Sequence, residues 1–259
     1  MIRANAALRH FPRLLAVLLA AFLLSVRPAL PEDAVRVFAA ASMIDVLEPL
    51  ADLFVEQGHP RPVIVTGASS VMARQIEAGA PADVFISANL DWASAVIKLS
   101  GWGKWRPFVS NRLVVIGPAG AAPLEDINQL PDRLAGGRLA IAEPDSVPAG
   151  IYAREALTKL GLWEAIEPLT APAENVRAAL NFVVTGAAPY GVVYESDARD
   201  PRVSIIAEIP KWSYFAVDYY TVIREDNPQA DAFVRLLRSD EADEIFAAYG
   251  FSPGHGMPL

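Results

Sequence analysis

From Val35 onward the chain alternates short runs of strand character with longer runs of helical period. That alternation limits the fold more than any other feature of the sequence. Val35–Ala40 is an apolar run of strand length. Ser42 to Gln57 then carries Met43, Val46, Leu47, Leu50, Leu53 and Phe54 at three- and four-residue spacing, one apolar stripe on a helix. Pro49 is expected to kink it, because proline cannot donate to the carbonyl of Asp45. Val63–Thr66 reads as a second strand, Ser69–Ala78 as a helix stopped by Gly79 and Pro81, and Asp83–Ser87 as a third strand. This order predicts an α/β layer with parallel strands.

A second series follows. Leu113–Gly117, Arg138–Ala142, Tyr190–Tyr194 and Val203–Ile209 have strand character, and Tyr214–Ile223 is β-rich. Ala149–Leu160 and Glu174–Val184 read as helices closed by Gly161 and Gly186, and Pro228–Leu237 and Ala242–Tyr249 as helices at the end. At 259 residues, two α/β lobes suit the length better than one continuous sheet.

The first thirty residues are of another kind. Arg3, Arg9, His10 and Arg13 precede eleven apolar residues, Leu14 to Leu24. That is the length of a signal-peptide core and short of the roughly 20 residues of a membrane span. Residues 1–30 are therefore expected to be a signal peptide, with cleavage near Ala29 and a mature chain working outside the cytoplasm. No cysteine follows to carry a lipid anchor.

Charge and composition exclude several functions. The net charge is −8, and without the four leader arginines the balance is 18 cations against 30 acids, which argues against binding nucleic acid. With no cysteine, thiolate nucleophiles, iron–sulfur clusters and cysteine zinc sites are ruled out. The histidines are His10, His59 and His255, too few for a histidine-based centre of any size. No GxSxG, Walker A, GxGxxG or HExxH motif occurs.

What remains is a set of strand-to-helix junctions built from small residues. Phe38–Ser42 (FAAAS) runs into a helix start, with Asp45 at capping-box offset from Ser42. Thr66–Ser70 (TGASS) does the same, and Val147–Gly150 (VPAG) and Ala173–Val176 (AENV) open two more helices. Each junction has two readings: an ordinary helix cap, or free N–H groups presented to a bound anion. Gly67, Ala149 and Gly150 have little side chain to keep a ligand from the backbone. Tyr194, ending the run GVVY, is either a boundary tyrosine of the core or a hydroxyl donor. In open α/β sheets, ligands bind beyond the carboxyl ends of the strands.

Beyond these junctions, FAAAS (38–42), ARQIEAGAPADVFISA (73–88), GGRLAIAEPDSVPAGIYAREALTKLG (136–161), APAENVRAAL (171–180), GVVYESDA (191–198) and AAYGF (247–251) resemble the periplasmic molybdate-binding proteins of ABC importers. The resemblance spans nearly the whole mature chain. It implies a two-lobed, type II periplasmic binding fold with the ligand cleft between lobes: residues 31–111 and 220–259 in the first lobe, 112–219 in the second, with crossovers near Asn111–Leu113 and Val217–Tyr220. It also implies that Ser42 and Ser69 offer hydroxyls, Ala149 and Val176 backbone N–H groups, and Tyr194 its hydroxyl to a molybdate or tungstate oxyanion. No catalytic residue, no cofactor and no direct protein ligand to molybdenum are expected. The expected partner is an ABC permease in the inner membrane, with the binding protein a monomer in the periplasm.

Three departures stand out. Asn175 replaces an expected acid, Glu195 stands where a small residue is common and would weaken anion binding if it faced the cleft, and Lys211–Phe215 is unfamiliar. Three rival readings remain: a receptor for another oxyanion such as sulfate; a secreted hydrolase using Ser42 or Ser69, which needs a base; and an α/β protein without ligand.

Overall fold

The computed structural model describes residues 34–224 and 227–254. The expected signal peptide, His10 and His255 lie outside the described residues. The chain from Val35 onward forms one compact unit built on two sheets.

The first sheet holds β1 (Arg36–Ala40), β2 (Val63–Gly67), β3 (Val84–Ser87), β4 (Arg106–Asn111), β10 (Val217–Ile223) and β11 (Ser252–Pro253), in the order β11-β4-β10-β3-β1-β2. Helices α1 (Ile44–Glu56), α2 (Ser69–Glu77) and α3 (Leu90–Ser100) follow β1, β2 and β3. The second sheet holds β5 (Leu113–Pro118), β6 (Leu139–Ala142), β7 (Thr170–Ala173), β8 (Tyr190–Tyr194) and β9 (Val203–Glu208), in the order β7-β6-β8-β5-β9. Helices α4 (Leu130–Leu134), α5 (Pro148–Lys159), α6 (Trp163–Ile166) and α7 (Val176–Val184) pack with it, and α8 (Pro228–Leu236) and α9 (Asp240–Ala248) close the chain. Only Arg112 separates β4 from β5, and the return to the first sheet runs between Glu208 and Val217.

Both sheets are mixed. β1 pairs parallel with β2 and β3, and β6 with β7 and β8, whereas β10, β4 and β11 in the first sheet and β5 and β9 in the second run antiparallel to their neighbours. The parallel character expected from the alternation is thus confined to β1–β3 and β6–β8. The strands at each crossing turn back on their sheet.

Local chemistry explains the elements. β1 lies inside its sheet, and Val37–Ala40 are buried, so its residues are apolar without alternation. Pro172 is tolerated because β7 is an edge strand. Helix α1 runs continuously through Pro49: the proline removes a bond from the ladder without dividing the helix. Six elements went unread in the sequence, α3, β4, α4, α6, β7 and β11, although Asn89 caps α3 by accepting from the Trp92 N–H at 3.2 Å and Gly101 closes it at φ +67°.

Candidate functional site

One small pocket gathers the carboxyl ends of six strands. Ala40 ends β1 and Ala41 and Ser42 follow it, Gly67–Ser69 end β2 and begin α2, Ala88 follows β3, Val147 precedes α5 and Pro148 and Ala149 begin it after β6, Asn175 follows β7 and Val176 begins α7, and Tyr194 ends β8. All five residues singled out above, Ser42, Ser69, Ala149, Val176 and Tyr194, line it. Its cavity volume is about 10 Å³, far below the roughly 300–1,000 Å³ of sites that take drug-sized molecules. Among the described residues no charged side chain lines it.

The serines are not helix caps. A 3-10 turn, Ala41–Met43, leads into α1, and neither this turn nor α1 has a side-chain cap bond. The Ser42 hydroxyl lies 2.6 Å from that of Tyr219. Ser69 is the first residue of α2, whose N-cap position is Ala68, and its Oγ accepts from the Ala88 N–H at 3.1 Å. Each hydroxyl has one proton and two lone pairs. With one lone pair engaged, Ser69 is set to donate into the pocket, and Ser42 is set likewise when Tyr219 is the donor of their bond.

The backbone donors follow from helix geometry. Val176 is the first residue of α7 and Ala149 the second of α5, positions whose N–H groups have no partner inside a helix. The partial positive charge of the helix ends adds to them. Pro148 sets the first turn of α5 without an N–H of its own. Gly150 is not in the lining, contrary to the reading that it opens the backbone to a ligand. It is glycine because a Cβ there would run into the carbonyl oxygens of Ala142 and Glu143.

Tyr194 is buried, and its hydroxyl has no hydrogen-bond partner among the described residues. Burial holds its pKa well above the ordinary value, so the group is a permanent O–H donor. An orphaned donor aimed into a pocket without cations fits a small anion.

The departures are placed. Asn175 caps α7, its Oδ1 accepting from the Ala178 N–H at 3.0 Å. Glu195 is outside the lining, and both its oxygens are taken by the Nε and Nη2 of Arg112. The side chains of Trp212 and Phe215 in the unfamiliar segment are exposed. Three contributors had no signal of their own in the sequence: Tyr219 behind Ser42, Arg177 beside Val176, and the buried Asp197. Among the described residues no helix is long and apolar enough to cross a membrane.

Residues 35–252 match the family model described as bacterial extracellular solute-binding protein. The chain is 40% identical over 230 residues to the molybdate-binding protein ModA of Escherichia coli strain K12, covering 85% of this chain and 90% of that one. It is 39% identical over 231 residues to its namesake from Haemophilus influenzae, covering 84% and 89%. The solved periplasmic molybdate-binding protein of Azotobacter vinelandii superposes with a TM-score of 0.75 at 25% identity, over 87% of this chain and all of that one.

Proposed function

The chain belongs to the bacterial extracellular solute-binding proteins, and from that premise we propose that it captures molybdate in the periplasm and delivers it to an ABC-type importer in the inner membrane. The observation that carries the reading is the convergence of five neutral donors, from both sheets, on one small pocket without a cation. Relatives at 39–40% identity are molybdate-binding proteins. Tungstate, of the same charge and shape, is the second expected cargo.

The proposed chemistry is solvent replacement. A dianion that leaves water needs its hydration replaced by hydrogen bonds. The hydroxyls of Ser42, Ser69 and Tyr194 and the N–H groups of Ala149 and Val176 supply them from fixed positions. Because no lysine or arginine takes part, nothing competes with release at the permease by a direct salt bridge. Hydrogen phosphate is disfavoured: its own proton needs an acceptor, and the pocket presents N–H and O–H donors with no carboxylate to take that proton. Sulfate carries no such proton, so its rejection rests on cavity size. The protein needs no cofactor for this role and acts as a monomer.

Hydrolysis is the poorer reading. His59 stacks on Phe54 and bonds through Nδ1 to Gln229 Oε1 at 3.0 Å, and it does not line the pocket, so it is no base for either serine.

Thermal melts of the purified protein with molybdate, tungstate, sulfate and phosphate test the proposal. Ligand at 100 times its Kd adds about 2.7 kcal/mol, a rise of roughly 5–11 °C for this size. Molybdate and tungstate are expected to give it. A rise with sulfate alone changes the cargo, and none with any anion rejects the reading. Calorimetric titration of Ser42→Ala and Ser69→Ala is expected to show losses of about 1–3 kcal/mol; unchanged affinity in both would remove these residues from the site.

A further inference from the structure

We propose that Asp45, Arg177 and Asp197 form a clasp across the cleft that holds the protein closed over its anion. Arg177 is the second residue of α7 and packs with the second sheet. Its Nη2 bonds to Asp45 Oδ2, on the first turn of α1 beside the first sheet. Its Nε lies 2.8 Å from Asp197 Oδ1, an ion pair without the alignment of a hydrogen bond. Asp197 is fully buried just beyond β8, and its other oxygen accepts from the Tyr194 N–H at 3.2 Å.

The positions carry the argument. Asp45 lies three residues after Ser42, Arg177 directly after Val176, and Asp197 three residues after Tyr194. One guanidinium therefore ties together three of the five chain segments that supply donors, one from the first sheet and two from the second. Among the described residues, Asp45–Arg177 is the ion pair that joins a helix of one sheet to a helix of the other. Other links across the cleft are neutral: Trp92 Nε1 to Ser146 O at 2.9 Å, and the Tyr152 hydroxyl to Ala88 O at 3.4 Å.

The two acids have different tasks. Asp197 cannot be hydrated, so it holds Arg177 in place on its own lobe whether the cleft is open or shut. Asp45 is more than half exposed, so it can exchange Arg177 for water when the lobes part. Arg177 contributes a cross-lobe bond only in the closed form. The two carboxylates also neutralise it, which keeps an unmatched cation from the pocket. These are positioning residues: they touch the segments that carry the donors, and none of them lines the pocket.

The clasp rests on the anion-binding reading for its purpose, and its test separates the two. Closed-state contacts slow dissociation more than they speed association. Asp45→Asn is expected to raise the molybdate off-rate about 3- to 30-fold, with the on-rate within about twofold. Asp45→Glu, which keeps the charge, should restore much of the loss. Glu48→Gln, on the same helix but paired with Arg61, should change neither rate. A second measurement needs no anion. The chain has no cysteine, so Glu77→Cys and Glu164→Cys place two unique spin labels, one on α2 and one on α6. Asp45→Asn should move their distance distribution toward the open form. If the parent protein fails to bind molybdate, the cargo reading falls and the distance distribution alone decides the clasp. An unchanged distribution, or an unchanged off-rate in a protein that binds, overturns it.

Discussion

The hydroxyl oxygens of Ser42 and Tyr219 lie 2.6 Å apart across 177 residues of sequence. Tyr219 is fully buried in β10, and burial raises its pKa, with the Ser42 bond opposing the shift. The phenol therefore keeps its proton, and when it donates to Ser42 the single serine proton is left for the ligand. Tyr219→Phe is expected to weaken molybdate binding by about 1 kcal/mol, or roughly fivefold. Titration calorimetry checks this. Equal affinities would mean that Ser42 needs no orienting partner.

Tyr194→Phe should separate binding from stability. Among the described residues its hydroxyl has no hydrogen-bond partner, so its removal takes none of those bonds from the unliganded fold. A lost bond to a charged ligand costs about 1.5–3 kcal/mol. The expected result is a fall in affinity of about one to two orders of magnitude, with an unchanged or slightly raised melting temperature without anion. A marked fall in that temperature would count against the hydroxyl as a ligand donor.

Gly150→Ala should act through packing. The added methyl would press on the backbone oxygens of Ala142 and Glu143, which cannot swing aside. The start of α5 must shift, and Ala149 with it. Urea unfolding is expected to show a loss of about 2–3 kcal/mol, with weakened anion binding. Gly67→Ala is the contrast: its methyl would meet the flexible end of Met72 at 2.9 Å, so its cost in stability should be the smaller. Equal costs would refute the backbone explanation.

Asp197 gives the fold a pH dependence. Burial pushes its carboxyl up to about 6; Arg177 and the Tyr194 N–H pull against the shift, and the charge of Asp45 adds to it. The charge of Asp197 in turn adds to the upward shifts of Tyr194 and Tyr219. An unfolded aspartate titrates near ~3.9, so between about pH 4 and 6 the folded state binds more protons than the unfolded one. The stability from this group is present below about pH 4 and is lost as the pH rises through about 6. The unfolding free energy of the parent, taken relative to Asp197→Asn, should fall by about 2–3 kcal/mol across that window. A flat difference would show that Asp197 titrates normally.

Much of the fold and of the candidate site was legible along the chain, because helix period, small-residue junctions and closing glycines are local signals. The β1–α1 and β2–α2 junctions were visible in FAAAS and TGASS, and the junction before α5 in VPAG. The resemblance, and not the spacing, singled out Val176, which offers only a backbone N–H. The cap reading of Ser42 and Ser69 failed because a cap is inferred from neighbours, while the partners of these hydroxyls, Tyr219 and the Ala88 N–H, come from other strands. The reason for Gly150 was hidden for the same cause: the atoms that exclude a side chain belong to the end of β6 and the residue after it.

The sequence by itself determined most of the α/β elements, most of the boundaries of those it showed, and the small-residue junctions that free N–H groups at helix starts. These depend on contacts within about one turn of chain. The tertiary structure alone decided that six strand ends meet at one small pocket, that both serine hydroxyls find partners from other strands behind them, that Glu195 is turned to Arg112, and that Arg177 joins Asp45 to Asp197. Each of these is a relation between segments distant along the chain or a choice of side-chain direction, and local propensity carries no information about either.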